Sequence, residues 1–408
     1  MVLNIIHTDA TESLPLFSTQ MLPYIFFLAV VPIILISMIK IKYKNKIKHI
    51  LTSIVTIILA FIIALSITYI SFKELHRAAN LSNKYILYSL VPVNYLAAII
   101  DVAKKTIIPM LNFDAIPDKN ITATIIKKDD LVVVLAIGEA VRQKNLSLYG
   151  YARVNTTPLL SKIKNLYTLN GNARLGSTLY ALKEILRKDD IKLTHITNTA
   201  GIKTNCYVNY TMYDNCSVGE IKAIAVRYNN SYDEDVIPLM EKNLNGYKNG
   251  YNFIVLHLGG GAHGPIYSHR HPKKYNILNP ICNNPDMLNV CTKEERYNSY
   301  DNAMLYQDYV VSQIISKLDN SKVPYIFIYV SDHGESLGED GYVFHGMPPG
   351  MQLPPEQANI ALLVKASMPI EIIKKSAYTQ PDIFDTILSL FNIKIKDFNK
   401  NGNFINKQ

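Results

Sequence analysis

The residues of this chain that could do chemistry gather in a few short stretches. "VSDHGESLGE" (330–339) sets Asp332, His333 and Glu335 directly after the apolar run "VPYIFIY". A strand of Ile, Phe, Tyr and Val has no structural need for a carboxylate and an imidazole at its tip. One reading is a turn in which Asp and Gly end a strand. The other is half of a metal site, whose oxygen and nitrogen donors suit zinc. "GEAVR" places Glu139 after "LVVVLAI" (131–137), and "GGGAHGP" places His263 after "FIVLHL" (253–258). His345, in "YVFHGMPPG", follows the Asp332–His333 pair closely enough to return to the same pocket.

"LGSTLYALKEILRK" (175–188) adds Ser177 and Thr178 ahead of a helical stripe of Leu179, Leu182, Ile185 and Leu186. Either hydroxyl could cap that helix. A hydroxyl at a helix N-terminus also sits in positive potential, which stabilises an alkoxide and then a phosphate ester. A metal beside it would lower its pKa further. The remaining motif-free histidines, His7, His49, His76, His195 and His257, read as surface or core residues. Gly259 to Gly261 lack the following helix of a nucleotide loop and read as a close backbone approach.

The elements that must position these groups follow from periodicity. The runs at 131–137, 253–258 and 325–330 are nearly continuous in apolar residues, as strands buried on both faces are. They alternate with helical stretches, which predicts an α/β fold with a mostly parallel sheet. Open parallel sheets collect ligands beyond the carboxyl ends of their strands. Strand ends that separately offer Glu139, His263 and the Asp332–His333 pair favour the metal site over turns.

Two uncharged runs precede this region, "MLPYIFFLAVVPIILISMI" (21–39) and "ILTSIVTIILAFIIALSITYISF" (50–72). Each is long enough to cross ~30 Å of hydrocarbon as a helix, so two transmembrane helices are expected. "KIKYKNKIKH" between them is lysine-rich and stays cytoplasmic, which places everything after residue 72 outside. No basic n-region precedes the first run, so it is not a signal peptide. An exported N-terminus without a preceding helix suggests that upstream membrane helices have been lost or lie outside this sequence. The expected organisation is a membrane region over 1–72, an interfacial helical linker over 73–111, and a soluble domain over 112–408.

The formal net charge of +9 is concentrated in that lysine loop and otherwise dispersed among acids. With no interleaved aromatic motif, nucleic acid is not a partner; attraction to anionic lipid is the better use of the excess. The four cysteines form two close pairs, Cys206 with Cys216 and Cys282 with Cys291. Neither pair has C-x2-C spacing, and an exported segment permits disulfides, so two local loop-closing bridges are expected rather than a four-cysteine zinc site.

Taken together, these motifs resemble the lipid A phosphoethanolamine transferases, which include the transferable colistin-resistance enzymes, within the alkaline-phosphatase/sulfatase superfamily. The passages that carry the resemblance are "IGEAVRQKNLSLYGYARVNTTP", "YDNAMLYQDYV" and "YVSDHGESLGEDGYVFHGMP". The resemblance implies an α/β/α sandwich and a bacterial inner-membrane enzyme with its catalytic domain in the periplasm. It implies that Glu139, Thr178, Asp332 and His333 bind Zn2+, with Thr178 the nucleophile that becomes phosphorylated. His263 and His345 would surround the phosphoryl group or bind a further zinc. Phosphatidylethanolamine would be the donor and lipid A or a related glycolipid the acceptor. This chain departs from the family in showing two rather than five membrane helices. It also has Arg174 and Glu184 near the places of the cysteines that staple the nucleophile helix, and "GEAVR" for "GETxR". A phosphoglycerol transferase or phosphodiesterase would use the same metal site, and an inactive truncated remnant would keep the fold.

Overall fold

The computed structural model describes residues 21–39, 46–70, 99, 121–188, 191–209, 224–225, 232–259, 263–347, 350–395 and 401–408. They fall into two compact units, Met1–Leu111 and Asn112–Gln408. In the first unit, α1 (Met21–Met38) is helical throughout and is long and apolar enough to cross a membrane. Its middle, Phe26–Val30, is wound as a π-helix just ahead of Pro32, whose ring nitrogen cannot donate to the ladder. α2 (Lys46–Ile70) follows, with its apolar stretch at Ile47–Ile63.

Among the described residues α1 meets the length and hydropathy of a membrane span, and α2 adds a shorter apolar helical stretch, Ile47–Ile63. α2 is helical from Lys46, so Lys46 and Lys48 of the expected loop lie in its first turn. Lysine is a good helix former whose stem can lie along an apolar helix, so the periodic stretch extends N-terminally past the apolar run. The expected linker over 73–111 lies outside the described residues apart from Ile99.

The second unit is built on an eight-stranded sheet. In chain order the strands are β1 (Leu131–Gly138), β2 (Tyr167–Asn172), β3 (Lys203–Val208), β4 (Ile224–Ala225), β5 (Tyr251–His257), β6 (Tyr325–Ser331), β7 (Asn359–Ala366) and β8 (Tyr378–Thr379). Their order across the sheet is β8-β2-β7-β6-β1-β5-β3-β4. Every neighbouring pair is parallel except the two made by β7, which runs antiparallel to both β2 and β6. The sheet is therefore mixed, with the expected parallel strands at its centre.

The apolar runs are continuous because both faces of the sheet are covered. Leu131, Val133, Leu135 and Ile137 of β1, with Ile326, Ile328 and Val330 of β6, pack against one layer. That layer holds α3 (Thr178–Leu186), α4 (Leu193–Thr199) and, later in the chain, the last long helix (Gln380–Leu390). The alternate residues Val132, Val134, Ala136, Phe327 and Tyr329 face the other layer. There α5 (Ile237–Asn245) and α6 (Lys293–Ser321) contribute Met240, Leu244, Tyr300, Met304, Val311 and Ile315; Gln380–Leu390 is α7. α6 starts at a capping box in which the Thr292 hydroxyl accepts from Glu295 N–H and Glu295 accepts from Thr292 N–H.

Cys282 and Cys291 are bridged and close a short loop ahead of α6, as expected. Cys206 is buried in β3 and disulfide-bonded, but its expected partner Cys216 lies outside the described residues.

Candidate metal centre and nucleophile

Sheet register sets the site. Gly138 of β1 is level with Ser331 of β6, and Ile137 is level with His257 of β5. Glu139, Asp332 and the segment leading to His263 therefore leave the sheet side by side at its carboxyl edge. The exit from β1 is held in an unusual backbone, since Ala140 has a φ of 57°, the left-handed region that a side chain disfavours. Asp332 Oδ1 accepts from Ala140 N–H at 3.0 Å and from His333 N–H at 2.7 Å, which pins both strand exits together. Ser331 Oγ accepts from Val141 N–H and donates to the His333 carbonyl, both at 2.8 Å. Gly334 is needed because a Cβ there would lie 2.1 Å from the Glu356 carbonyl oxygen.

Glu139, Asp332 and His333 have no exposed surface, and Thr178 is 6% exposed. Thr178 is the first residue of α3 and Ser177 is its N-cap, whose side chain makes no capping hydrogen bond. Thr178 Oγ1 lies 3.2 Å from both Glu139 carboxylate oxygens and 3.3 Å from His333 Nε2. His333 Nδ1 is turned to the Gly334 carbonyl at 3.0 Å, which leaves Nε2 to face Glu139 Oε1 at 3.4 Å and Asp332 Oδ2 at 3.2 Å. His345 joins them, for its ring stacks on that of His333 at 4.1 Å, and ligand-capable atoms of Glu139, His333 and His345 lie within 4.8 Å of one another. The His263 ring is 5.0 Å from that of His345. All six site residues expected from the sequence thus meet at one place.

The electrostatics of the site favour a cation. Burial, then the adjacent Asp332 carboxylate, push the Glu139 carboxyl well above the usual range. Burial holds the His333 and His263 imidazoles below theirs, against the pull of Asp332 on His333. Asp332 Oδ2 is buried without a hydrogen-bond partner among the described residues. Among the described residues the ligand-capable atoms of Glu139, His333 and His345 are close enough together to hold a metal ion, and a cation there would offset the buried carboxylates beside it.

Several further residues support this centre. Glu335 Oε2 pairs with His345 Nδ1 at 2.6 Å while its Oε1 accepts from Tyr267 Oη at 3.1 Å. Gln380 donates to the Asp332 carbonyl from the start of α7. His257, passed over as a motif-free histidine, is buried at the end of β5 within the field of Asp332, and burial pushes it down to about 4. Arg142 has no exposed side chain and binds Glu339 Oε1 at 2.8 Å. Arg142 meets Glu339 across 197 positions and Gln380 meets Asp332 across 48, so no local pattern announces those pairs. Arg174 and Glu184 form an ion pair at 3.2 Å across the base of α3. Arg174 is largely exposed, so this pair is a weak tether.

Glu339 yields a pH prediction. Burial would raise its carboxyl, but Arg142, the Leu337 N–H and the Tyr297 hydroxyl outweigh that and hold it at about 2. A depressed carboxyl contributes stability that is present above its unfolded pKa and is lost as pH falls. The melting temperature of the wild type is therefore expected to drop between pH 4.5 and 2 more steeply than that of Glu339→Gln. Parallel curves for the two proteins would remove Glu339 from the acid response.

This α/β/α frame with its buried carboxylate–imidazole centre belongs to the sulfatase family, whose profile matches residues 132–393. Residues 1–107 match the profile described as phosphoethanolamine transferase EptA/EptB. The phosphoethanolamine transferase EptA of Helicobacter pylori is 34% identical over 64% of this chain, a match that spans 53% of that relative's length. The phosphoethanolamine transferase EptA of Escherichia coli K12 is 28% identical over 97% of this chain and 78% of its own length. Among solved structures, the integral membrane protein lipooligosaccharide phosphoethanolamine transferase A (EptA) from Neisseria meningitidis superposes with a TM-score of 0.80. It is 25% identical and the match covers 97% of this chain and 79% of that one. The chain's relatives are enzymes.

Proposed function

We propose that the protein is a phosphoethanolamine transferase of the bacterial inner membrane, anchored through residues 1–72, with residues 73–111 as an interfacial linker and 112–408 as its periplasmic catalytic domain. It takes phosphoethanolamine from phosphatidylethanolamine and passes it to lipid A or a related glycolipid. The observation that carries this reading is Thr178 Oγ1 at a helix N-terminus, 3.2 Å from Glu139 and 3.3 Å from His333 Nε2. The names of the relatives, one of which acts on lipooligosaccharide, supply the group transferred and the kind of acceptor.

Glu139, Asp332, His333 and the Thr178 hydroxyl would hold one cation, and their oxygen and imidazole donors suit zinc. The chemistry that a bound ion supplies here is positive charge, which lowers the hydroxyl's pKa and offsets charge on the phosphoryl oxygens. Thr178 Oγ1 attacks the phosphorus of phosphatidylethanolamine and gives up its proton on the Glu139 side. The phosphorus–oxygen bond to diacylglycerol breaks as the bond to threonine forms, and the departing oxygen takes up a proton. His263 and His345 line the pocket beside that phosphoryl group. The N–H groups of the first turn of α3 add positive potential. An oxygen of the acceptor then displaces Thr178, whose oxygen regains a proton. Water competes as acceptor, so exclusion of water is part of the task.

The test is transfer itself. The full chain, reconstituted with phosphatidylethanolamine and lipid A, is expected to give lipid A heavier by one phosphoethanolamine group. Lipid A that stays unmodified while the donor is hydrolysed would make the protein a phosphodiesterase instead.

A further inference from the structure

Arg142 is a buried cation with more partners than a surface charge drawn inward would collect. Its Nε donates to Asn145 Oδ1 at 2.6 Å, and its Nη1 donates to the Glu335 carbonyl at 3.0 Å and to Glu339 Oε1 at 2.8 Å. Its guanidinium carbon lies 5.5 Å from the Tyr297 ring centre and 5.2 Å from that of Tyr300. Tyr300 acts on the backbone of the same turn. Its hydroxyl donates to the Ala140 carbonyl at 2.7 Å and accepts from Arg142 N–H at 3.0 Å.

These contacts lie between two chain segments that each carry candidate ligands. Arg142 is three residues past Glu139. The carbonyl and carboxylate it holds belong to the hairpin Ser336–Leu337 with Val343–Phe344 and its approach, which runs from His333 to His345. The same hairpin approach carries Glu335, which grips His345 Nδ1. We infer that Arg142 is a positioning residue, with Tyr300 its brace, which sets the separation between Glu139 and the His333–His345 hairpin. The left-handed backbone at Ala140 is the strain that this bracket holds in place.

The inference rests on the reading of Glu139 and His333 as metal ligands. Groups that orient ligands from behind typically change metal affinity or activity by about 10- to 100-fold when altered. A lysine cannot replace Arg142, because one ammonium cannot make the forked contacts of the guanidinium.

The experiment uses the full chain as wild type, Arg142→Lys and Tyr300→Phe. The second variant removes only the bracing hydroxyl, so it keeps the question open if Arg142→Lys does not fold. Zinc affinity is measured by competition with a chelator, which needs no turnover. The rate and KM of adduct formation on Thr178 are measured with phosphatidylethanolamine. Expected is a zinc Kd raised about tenfold or more in each folded variant, and an adduct rate lowered about tenfold, with KM for the lipid changed little. Variants that melt earlier yet bind zinc and react like the wild type would reduce Arg142 to a structural residue and overturn the inference. If the wild type binds zinc but forms no adduct, the transferase reading fails while the zinc affinities still decide the bracket.

Discussion

Thr178→Ala is expected to abolish both the covalent phosphoethanolamine adduct and transfer to the acceptor. The alanine removes the hydroxyl that lies 3.2 Å from Glu139 and 3.3 Å from His333 at the head of α3. The neighbouring Ser177 is the control, because both residues precede the same amphipathic stripe. Ser177 occupies the N-cap without a side-chain capping bond, so Ser177→Ala should cost at most about 1 kcal/mol of stability and keep the adduct. Mass spectrometry of both variants after exposure to phosphatidylethanolamine separates the cases. An adduct that survives in Thr178→Ala and disappears in Ser177→Ala would reassign the nucleophile.

The second large effect concerns the metal. The wild-type chain is expected to carry one zinc per molecule, and Asp332→Asn to carry almost none. The substitution withdraws a buried carboxylate oxygen that lacks a hydrogen-bond partner among the described residues and halves the negative charge that Glu139 and Asp332 present together. A ligand that binds only the folded state adds about 2.7 kcal/mol at a free concentration a hundred times its Kd. Chelation should therefore lower the melting temperature of the wild type and leave that of Asp332→Asn unmoved. Elemental analysis and melting curves with and without chelator check this. A metal-free wild type that still turns over the phosphodiester would refute the metal assignment.

What the sequence disclosed, and what it withheld, divides along physical lines. The strands that carry Glu139 and Asp332 were legible because a strand covered on both faces becomes an apolar run, and a polar tip then stands out. Strand direction is not written in such a run. "NIALLVKA" reads like its parallel neighbours, yet β7 enters the sheet antiparallel. Helix α2 reaches back to Lys46, ahead of the apolar run, because apolarity marks the hydrocarbon stretch rather than the helix and lysine extends the helix beyond it. His345 was found through its closeness in the chain to His333, which the short hairpin between them makes a closeness in space. Arg142 and Tyr300 touch across 158 positions, and nothing in either neighbourhood announces the other. His257 was set aside for the same reason, since only the pairing of β5 with β1 puts it at the edge where Asp332 emerges.

The most direct test of the account is the intact mass of the zinc-loaded, full-length wild type after incubation with phosphatidylethanolamine and no acceptor. The account predicts a mass increase of one phosphoethanolamine group, located by peptide mapping on Thr178 and discharged when lipid A is added. An unmodified mass, whether or not lipid A later acquires the group, or an adduct on any residue other than Thr178, would contradict it.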